Sequence, residues 1–473
     1  MEKQIKKNDI ITLEITGYTS EGSGVGHANG MAVFVAGAAA GSTVEALIIK
    51  AKNNYAIGKL KNVLEPSEDM TPSDCSVFPK CGGCVFRHIT YEAECRHKEQ
   101  RVKDAFARIG HLDVPVEPIR DGERYNHYRN KAQYPVQTVN GRLVAGFYAP
   151  YSHRVIPCRS CLLQPPEFEG ILKVIARWAE KYKIPAYDER SRKGLLRHIY
   201  LRKGFATGEI MVCLVINGEK IFKTKELLDA LQKENKHIKT VLLNRNVADT
   251  NVILGKETTA LTGPGYIEDI LCGKRFRISP LSFYQVNHDQ AERLYAQAAA
   301  FAVAENTRTV VDLYCGAGTI GLTLADKVEK LIGVEIVEAA VRDAEINAKL
   351  NGAENAEFIC ADASAAAETL KARGIRPDTV IMDPPRKGCD EALLHTVAEM
   401  APARIVYVSC DPATLARDCA VLETLGYKTQ TAVPFDLFPR TSHVETVCCL
   451  YHQKKDFISV PYEPKDDDYL KNR

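Results

Sequence analysis

The residues that could do covalent chemistry begin with a cysteine in the stretch RIVYVSCDPATLARD, which runs from Arg404 to Asp418. The apolar run before Cys410 predicts a buried strand, and Asp411 and Pro412 are typical of a helix N-cap and first turn. A thiol at that junction faces free backbone N–H groups and the positive end of the helix dipole, which stabilise a thiolate and lower its pKa. Cys410 is therefore a candidate nucleophile, although an apolar strand end is the simpler interpretation of one cysteine among 15.

Four acidic residues accompany successive predicted strands. Asp312 lies in TVVDLYCGAGTIGLTLA, and the next three strands end in KLIGVEI, FICADA and TVIMDPPRKG, which bring Glu335, Asp362 and Asp383. Parallel strands present their carboxyl ends at one ligand-binding edge, where Glu335 can accept hydrogen bonds from a ribose and Asp362 lies near an adenine edge. The G-x-G-x-x-G pattern of the first turn also fits dinucleotide-binding proteins. The D-P-P-R turn favours an S-adenosylmethionine (SAM) methyltransferase instead.

Cys410 follows the next strand at the same edge, so the topology predicts a thiol beside the methyl donor. Carbon-5 of uracil is a poor nucleophile until a thiolate adds to C6, which is covalent catalysis. A base must then remove the C5 proton before the cysteine can leave. The stretch RTSHVETV supplies Glu445 for that step, unless it is an ordinary acid of a surface strand.

The elements that must position these residues indicate a multidomain chain of 473 residues. Short strand patterns over residues 1–64 predict a small β-barrel of OB type. Residues 75–285 read as a central α+β domain with a cysteine-bearing loop, and residues 286–455 as an α/β doubly wound domain with a parallel sheet. The remaining residues, 456–473, form a polar tail that we expect to be poorly ordered.

Charge is distributed unevenly. Residues 75–285 hold 35 Lys and Arg against 22 Asp and Glu, whereas the residues before them have a balance of −2 and those after them −9. Stretches such as HYRNKAQYPV (127–136) and RSRKGLLRHIYLRK (190–203) mix cations with His and Tyr, which suits phosphate contact and base stacking. The middle of the chain is therefore predicted to bind RNA. No apolar run reaches a membrane span and no apolar signal segment opens the chain, so we expect a cytoplasmic protein without membrane contact.

A second group of cysteines has metal-ligand spacing. CSVFPKCGGC contains Cys75, Cys81 and Cys84, and PCRSCLLQPP contains Cys158 and Cys161. Two C-x2-C pairs could hold zinc. An iron–sulfur cluster could instead use the first three thiolates and one distant cysteine. The spacing alone leaves both readings open.

The chain resembles the bacterial RNA uracil-5-methyltransferase family, of the type that acts on 23S ribosomal RNA. The resemblance spans nearly the whole chain, including an N-terminal barrel similar to the TRAM domain of many members. It rests on these stretches: SFYQVN (282–287), DLYCGAGTIGL (312–322), VEI (334–336), MDPPRKG (382–388), SCDPATLARD (409–418) and HVETV (443–447). A class I SAM-dependent methyltransferase domain is the fold that this resemblance implies for the C-terminal part.

The resemblance also implies roles for individual residues. Cys410 would be the nucleophile and Glu445 the proton acceptor. The SAM contacts would be Gln285, Tyr314, Thr319, Glu335, Asp362 and Asp383. Ribosomal-RNA members carry a [4Fe–4S] cluster on C-x5-C-x2-C and a later cysteine before an apolar pair and Gln, which implies the ligands Cys75, Cys81, Cys84 and Cys161. Cys158 is an extra thiol beside that set.

The expected function is formation of 5-methyluridine in 23S rRNA by a monomeric enzyme. The same reaction on transfer RNA is the alternative within the class. A non-catalytic RNA-binding protein would be expected to lack the nucleophile or the base. Both Cys410 and Glu445 are present, which disfavours this alternative. A radical-SAM enzyme is disfavoured because its C-x3-C-x2-C run is absent.

Overall fold

The computed structural model describes residues 4–158 and 160–453, and the predicted tail at 456–473 lies outside the described residues. Five strands form the N-terminal closed barrel in the order β1-β2-β3-β5-β4, which confirms the predicted barrel. Its strands are β1 (Ile10–Tyr18), β2 (Gly24–Ala28), β3 (Met31–Ala36), β4 (Thr43–Ala51) and β5 (Tyr55–Glu65). Alternate residues of these strands point inward and form the barrel core.

A seven-stranded sheet of order β12-β11-β10-β9-β6-β7-β8 forms the central part, with one face covered by two helices. Its strands are β6 (Lys131–Val139), β7 (Arg142–Tyr148), β8 (Val155–Pro157), β9 (Leu196–Lys203), β10 (Ile210–Ile216), β11 (Ile238–Arg245) and β12 (Glu257–Thr262). The two helices are α2 (Glu167–Lys181) and α3 (Thr224–Glu234). A separate hairpin follows, made of β13 (Ile267–Leu271) and β14 (Lys274–Ile278).

The C-terminal part confirms the doubly wound prediction, with helices on both sides of a sheet of order β17-β16-β15-β18-β19-β21-β20. Its strands are β15 (Thr309–Leu313), β16 (Lys330–Glu335), β17 (Ala356–Cys360), β18 (Thr379–Met382), β19 (Arg404–Ser409), β20 (Tyr427–Phe435) and β21 (Glu445–His452). Its helices are α4 (His288–Ala302), α5 (Thr319–Leu324), α6 (Glu338–Leu350), α7 (Ala363–Ala372), α8 (Glu391–Glu399) and α9 (Pro412–Thr424). Strands β15 to β19 are parallel, whereas β21 is antiparallel to both its neighbours. No helix of the described residues is long and apolar enough to cross a membrane.

The helix α1 (Tyr91–Ala105) lies early in the chain but packs on the C-terminal sheet. It continues into a π-helical turn at Phe106–Gly110, so its backbone hydrogen-bond pattern changes before the helix ends. Val102 and Phe106 are fully buried in the same core as α9 and β20. The segment between the barrel and the central sheet thus supports the C-terminal domain.

A buried group of charges joins α1 to the loop between β20 and β21. Lys98 Nζ donates to Glu94 Oε1 at 2.6 Å, to Asp436 Oδ1 at 2.7 Å and to the carbonyl of Phe438 at 3.2 Å. Glu94 Oε1 also accepts from the backbone N–H of Arg440 at 2.7 Å. Lys98, Glu94 and Asp436 have no exposed surface, so each charge depends on its partners for compensation. We call these three residues with Arg440 the loop clamp.

Breaking the loop clamp is expected to be costly. Lys98→Met keeps the length of the side chain but leaves two carboxylates without their shared cation. Removing one partner of a buried ion pair costs roughly 3–5 kcal/mol of the free energy of unfolding. Urea unfolding followed by circular dichroism measures this loss.

Lys103→Met is the matched control, because Lys103 lies on the same helix and its ion pair with Glu99 is partly exposed. Exposed pairs contribute little to stability. An equal effect of the two substitutions would contradict the role given to Lys98.

Candidate active site

The sheet register brings the predicted nucleophile and base together. Ser409 at the end of β19 pairs with Thr446 on β21, so the next position, Cys410, lies opposite Glu445 across the antiparallel pair. Glu445 in turn pairs with Phe435 on β20. Residues opposite each other in such a ladder have Cα atoms about 4.5–5.5 Å apart. The insertion of β21 between its neighbours therefore places both side chains at one edge of the sheet.

The predicted lowering of the Cys410 pKa is wrong for the free protein. Burial is the largest of the effects that raise the pKa of the Cys410 thiol to about 11; the charges of Glu445 and Asp383 also raise it, whereas the charge of Arg386 lowers it. The helix α9 begins where predicted, with Asp411 as its N-cap. However, Asp411 Oδ1 itself accepts from the free N–H groups of Ala413 and Thr414, at 2.9 and 3.2 Å. The cap uses the donors that the prediction assigned to the thiol.

Three carboxyl groups at this edge have raised pKa values. Burial raises the pKa of Glu445 to about 8, with a further contribution from Asp383. Burial alone raises the pKa of Asp383 to about 7. Burial likewise raises the pKa of Asp312 to about 8, although the backbone N–H of Gly321 opposes that shift by donating to Asp312 Oδ2 at 2.9 Å. A cation bound at this edge would stabilise the ionised forms of these acids, so the edge favours a cationic ligand.

The glycine-rich turn is shaped by its neighbours. A Cβ on Gly321 would approach Asp312 Oδ2 to 2.9 Å and the Leu331 side chain to 3.1 Å, so only glycine lets α5 lie this close to β15 and β16. Glu335 Oε2 accepts from Gly316 N at 3.1 Å, and its other oxygen accepts from Val337 N at 2.8 Å. Glu335 thus holds the turn while lying at the end of β16, where it was predicted.

The other predicted SAM contacts surround this turn in different ways. Tyr314, whose φ is +67°, is half-buried and follows β15 directly. Gln285 is buried, and its carbonyl accepts from Asn130 Nδ2 at 2.8 Å. The Thr319 hydroxyl lies 3.1 Å from Tyr295 Oη inside the core. Asp362 caps α7 by accepting from the N–H groups of residues 364 and 365, at 3.0 and 3.3 Å. The side chains of Thr319 and Asp362 therefore already have structural partners.

Sequence reasoning missed the cation of the site. Arg386 follows the D-P-P turn and favours the ionised forms of both Cys410 and Glu445. Its guanidinium lies 3.4 Å from the ring of His443, two residues before Glu445. Its place inside the quoted MDPPRKG stretch was a usable signal, since a cation at an edge rich in acids can stabilise their ionised forms.

The five cysteines of the second group lie around one cavity. Cys75, Cys81, Cys84, Cys158 and Cys161 line it, and its volume is about 230 Å³. The N–H groups of Gly83 and the Arg87 side chain are directed at the sulfurs of Cys81 and Cys84, both at 3.4 Å. Cys158 is buried, and its thiol donates to the carbonyl of Ser160 at 3.5 Å.

The thiols are gathered but do not form a preorganised metal site. Within residues 4–158 and 160–453, no group of three or more His, Cys, Asp or Glu side chains is arranged to hold a metal ion. The donor chemistry nevertheless fits an iron–sulfur cluster, which needs four thiolates and is tuned by hydrogen bonds to its sulfurs. The four predicted ligands thus lie around one cavity, and the cluster itself stays a prediction.

Comparison with known proteins decides the family. Residues 90–454 match the family described as tRNA (uracil-5-)-methyltransferase, and residues 5–61 match the TRAM domain. The chain belongs to the tRNA (uracil-5-)-methyltransferase family. This confirms the resemblance drawn from the sequence and identifies the chain as a SAM-dependent RNA methyltransferase of the uracil-5 type.

Relatives agree with this assignment, and a solved structure shows the same fold. A protein of Clostridium tetani, named an uncharacterized RNA methyltransferase, is 44% identical over 95% of this chain and 98% of its own length. One of Halalkalibacterium halodurans with the same description is 43% identical over 95% and 99%. The fold is that of the Pyrococcus abyssi tRNA (uracil-54, C5)-methyltransferase solved with S-adenosyl-L-homocysteine, with a TM-score of 0.75 and 23% identity over 93% of this chain and 100% of that one.

Binding of SAM by this uracil-5-methyltransferase is expected to depend on pH through Asp383. The pKa of Asp383 lies near 7 in the free protein, and a bound sulfonium cation favours the ionised acid. Affinity for SAM should therefore fall below pH 7, by up to about tenfold per pH unit for one released proton. Asp383→Ala and Glu335→Ala should each cost roughly 1–3 kcal/mol of binding free energy. Calorimetry in two buffers of different ionisation enthalpy measures both effects.

Glu354→Ala is the matched control, because Glu354 is exposed and follows α6 away from the glycine-rich turn. Unchanged SAM affinity in both test variants would mean that the pocket lies elsewhere. A pH dependence that survives in Asp383→Ala would assign the proton to another acid.

Proposed function

We propose that this enzyme methylates C5 of a uridine in 23S ribosomal RNA by covalent attack of Cys410 on C6 of the base. The placement of Cys410 opposite Glu445, at the edge that also holds Asp383 and the glycine-rich turn, carries the proposal. A thiol, a base and a nucleotide-like turn at one edge are what this reaction requires.

The proposed SAM contacts are the residues around that turn. Glu335 and Asp383 supply carboxylates, Tyr314 packs on the ligand, and Gln285 closes the pocket from the preceding segment. Thr319 and Asp362 also belong to the proposed set. To contact SAM, each would have to exchange or share the hydrogen bond that its side chain makes in the free protein. When bound, SAM supplies an electrophilic methyl group and a positive charge.

Cys410 acts first in the proposed mechanism. Its ionised sulfur forms a bond to C6, and the C5–C6 π electrons move toward C5, leaving an enolate-like ring. Arg386 stabilises the thiolate, because its charge is the one that lowers the pKa of Cys410 in the free protein. The activated C5 then accepts the methyl group.

Glu445 completes the reaction by taking the proton from C5. The electron pair of the C5–H bond restores the C5–C6 double bond, and the sulfur of Cys410 leaves with the electrons of the C6–S bond. Glu445 must be ionised at that moment, and its raised pKa makes the ionised form a stronger base. Its burial, with only 4% of its surface exposed, also keeps bulk water from the ring.

The choice of ribosomal RNA rests on the cysteine cavity. We propose that it holds a [4Fe–4S] cluster on Cys75, Cys81, Cys84 and Cys161, as ribosomal-RNA members of the family do. The proposal leaves Cys158 outside the ligand set, and the bond from its buried thiol to a backbone carbonyl supports that choice. A transfer-RNA target is the second candidate, because the matching family is described by that substrate. We further propose a division of labour in which residues 1–64 and 75–285 bind RNA and residues 286–455 transfer the methyl group.

A covalent trap tests mechanism and substrate together. Glu445→Gln keeps the shape of the side chain and removes the base, so the enzyme should methylate once and remain bonded to RNA. Incubated with SAM and labelled transcripts of 23S rRNA or tRNA, it should give a slow protein–RNA band on a denaturing gel with the ribosomal transcript.

Cys410→Ala in the same variant is the control, and it should remove the band because nothing then activates C5. Methyl transfer by Cys410→Ala would refute the covalent mechanism. A band with tRNA alone would replace the proposed substrate by the second candidate, and normal turnover of Glu445→Gln would show that another base acts.

The metal prediction is independent of activity. Protein purified without oxygen should be brown and hold about four irons per chain. Cys161→Ser should lose the iron, whereas Cys158→Ser should keep it. Colourless protein with one zinc per chain would refute the cluster, and the reverse behaviour of the two variants would overturn the choice of ligand.

A further inference from the structure

A second cavity lies in the central sheet, away from the residues assigned above. Its volume is about 360 Å³, and its walls come from β6, the loop between β7 and β8, and the segment before β9. This volume is within the range of pockets that hold small ligands. The sequence stretch 190–203, in which cations are mixed with His and Tyr, supplies one wall.

Aromatic rings form a stacking surface in this cavity. The rings of Tyr148 and His153 are stacked, with their centres 5.2 Å apart and an angle of 27° between their planes. Glu189 holds them together, since it accepts from Tyr148 Oη at 3.1 Å and contacts His153 Nδ1. Tyr148 is half-buried and His153 exposed, so a planar ligand can reach the pair. Proteins recognise unpaired RNA bases by stacking them on such rings.

The charges around the rings favour an anion. The lining carries three guanidinium groups, those of Arg154, Arg190 and Arg197, against the two carboxylates of Asp188 and Glu189. Arg154 and Arg190 are exposed and form no ion pair among the described residues, although the pKa of Asp188 is lowered by the backbone N–H of Ser191 and also by the charge of Arg190. The buried Arg197 is held by backbone carbonyls of residues 246 and 248, at 2.7 and 2.9 Å. The exposed guanidinium groups of Arg154 and Arg190 can therefore reach a phosphate.

The second cavity and the cysteine cavity both include residues of the same face of β6. Lys131, Gln133 and Gln137 alternate on β6 with the residues that pack against the helices. Gln133 lines the cysteine cavity and Gln137 the second cavity. The residue before β6, Asn130, bonds to the carbonyl of Gln285 in the proposed SAM pocket. Six residues of a strand span about 20 Å, so both cavities lie on a path leading away from the active site.

We propose that this cavity binds an unpaired nucleotide of the substrate RNA, a few nucleotides from the uridine that is methylated. The base stacks on the Tyr148 and His153 rings, and the adjoining phosphate contacts Arg154 and Arg190. The proposal rests on the proposed function in that the ligand belongs to an RNA substrate, but binding and methyl transfer are separable in the test.

The test uses the full-length protein and a fluorescent single-stranded RNA of twelve nucleotides with mixed sequence. The double variant Tyr148→Ala with His153→Ala should raise the Kd roughly tenfold, as loss of a base stack does, at both low and high salt. With 23S rRNA transcripts it should raise KM and leave kcat unchanged, and its SAM affinity should equal that of the wild type. Arg154→Ala should weaken binding mainly at low salt.

Two controls keep the outcome decisive. Tyr148→Phe retains the ring and loses the bond to Glu189, which still contacts His153, so its Kd should stay much closer to that of the wild type than the Kd of the double variant does. Arg142→Ala removes a cation from the same strand outside the cavity and should change the Kd only slightly. If the double variant binds like Arg142→Ala, the nucleotide pocket is refuted while uridine methylation stands. If the wild type binds the RNA through this cavity but methylates no uridine, the proposed function fails and the pocket stands.

Discussion

The electrostatic cost of burying acids at the carboxyl edge of the C-terminal sheet is the constraint on which the site depends. Asp312, Asp383 and Glu445 lie at one edge, and burial raises the pKa of each. Cys410 cannot ionise easily beside them. Under the proposed function, a cationic methyl donor bound at this edge would relieve this cost by favouring the ionised acids. Binding of the donor would then be linked to the protonation of Asp383 and Glu445.

The geometry of that edge depends on contacts from distant parts of the chain. Glu445 begins β21 directly after a loop that turns through Arg440, whose φ is +69°. The loop clamp fixes this turn from α1, more than 300 residues earlier in the sequence. Arg101, also on α1, adds a bond to the carbonyl of Ser442 at 2.7 Å. The position of Glu445, the proposed base, therefore depends on contacts from a helix that precedes the central sheet in the chain.

Sequence patterns predicted the architecture well because it follows from local periodicity and strand order. The strand preceding Cys410, the cap at Asp411 and the acids at successive strand ends all follow from neighbouring residues. The predicted direction of the Cys410 pKa shift was wrong. It depends on which acceptor the free N–H groups of α9 donate to, and that acceptor is the side chain of Asp411. The role of Lys98 could not be predicted, because a lysine in a polar helix pattern looks solvent-exposed until its partners from the other end of the chain are known.

The cysteine cavity and the second cavity differ in whether they need a partner to become ordered. Cysteine spacing indicates a ligand set, and the structure gathers the cysteines around one cavity without arranging them for a metal. A loop that is ordered by its cofactor would show this combination, since metal binding and local folding are coupled. The second cavity needs no cofactor to be ordered, because Glu189 already bonds to its ring pair and residues of the central sheet form its base. The cysteine loop also touches this region, as Gly82 N donates to the carbonyl of Tyr148 at 2.9 Å. A cofactor that orders that loop would therefore also stabilise one wall of the second cavity.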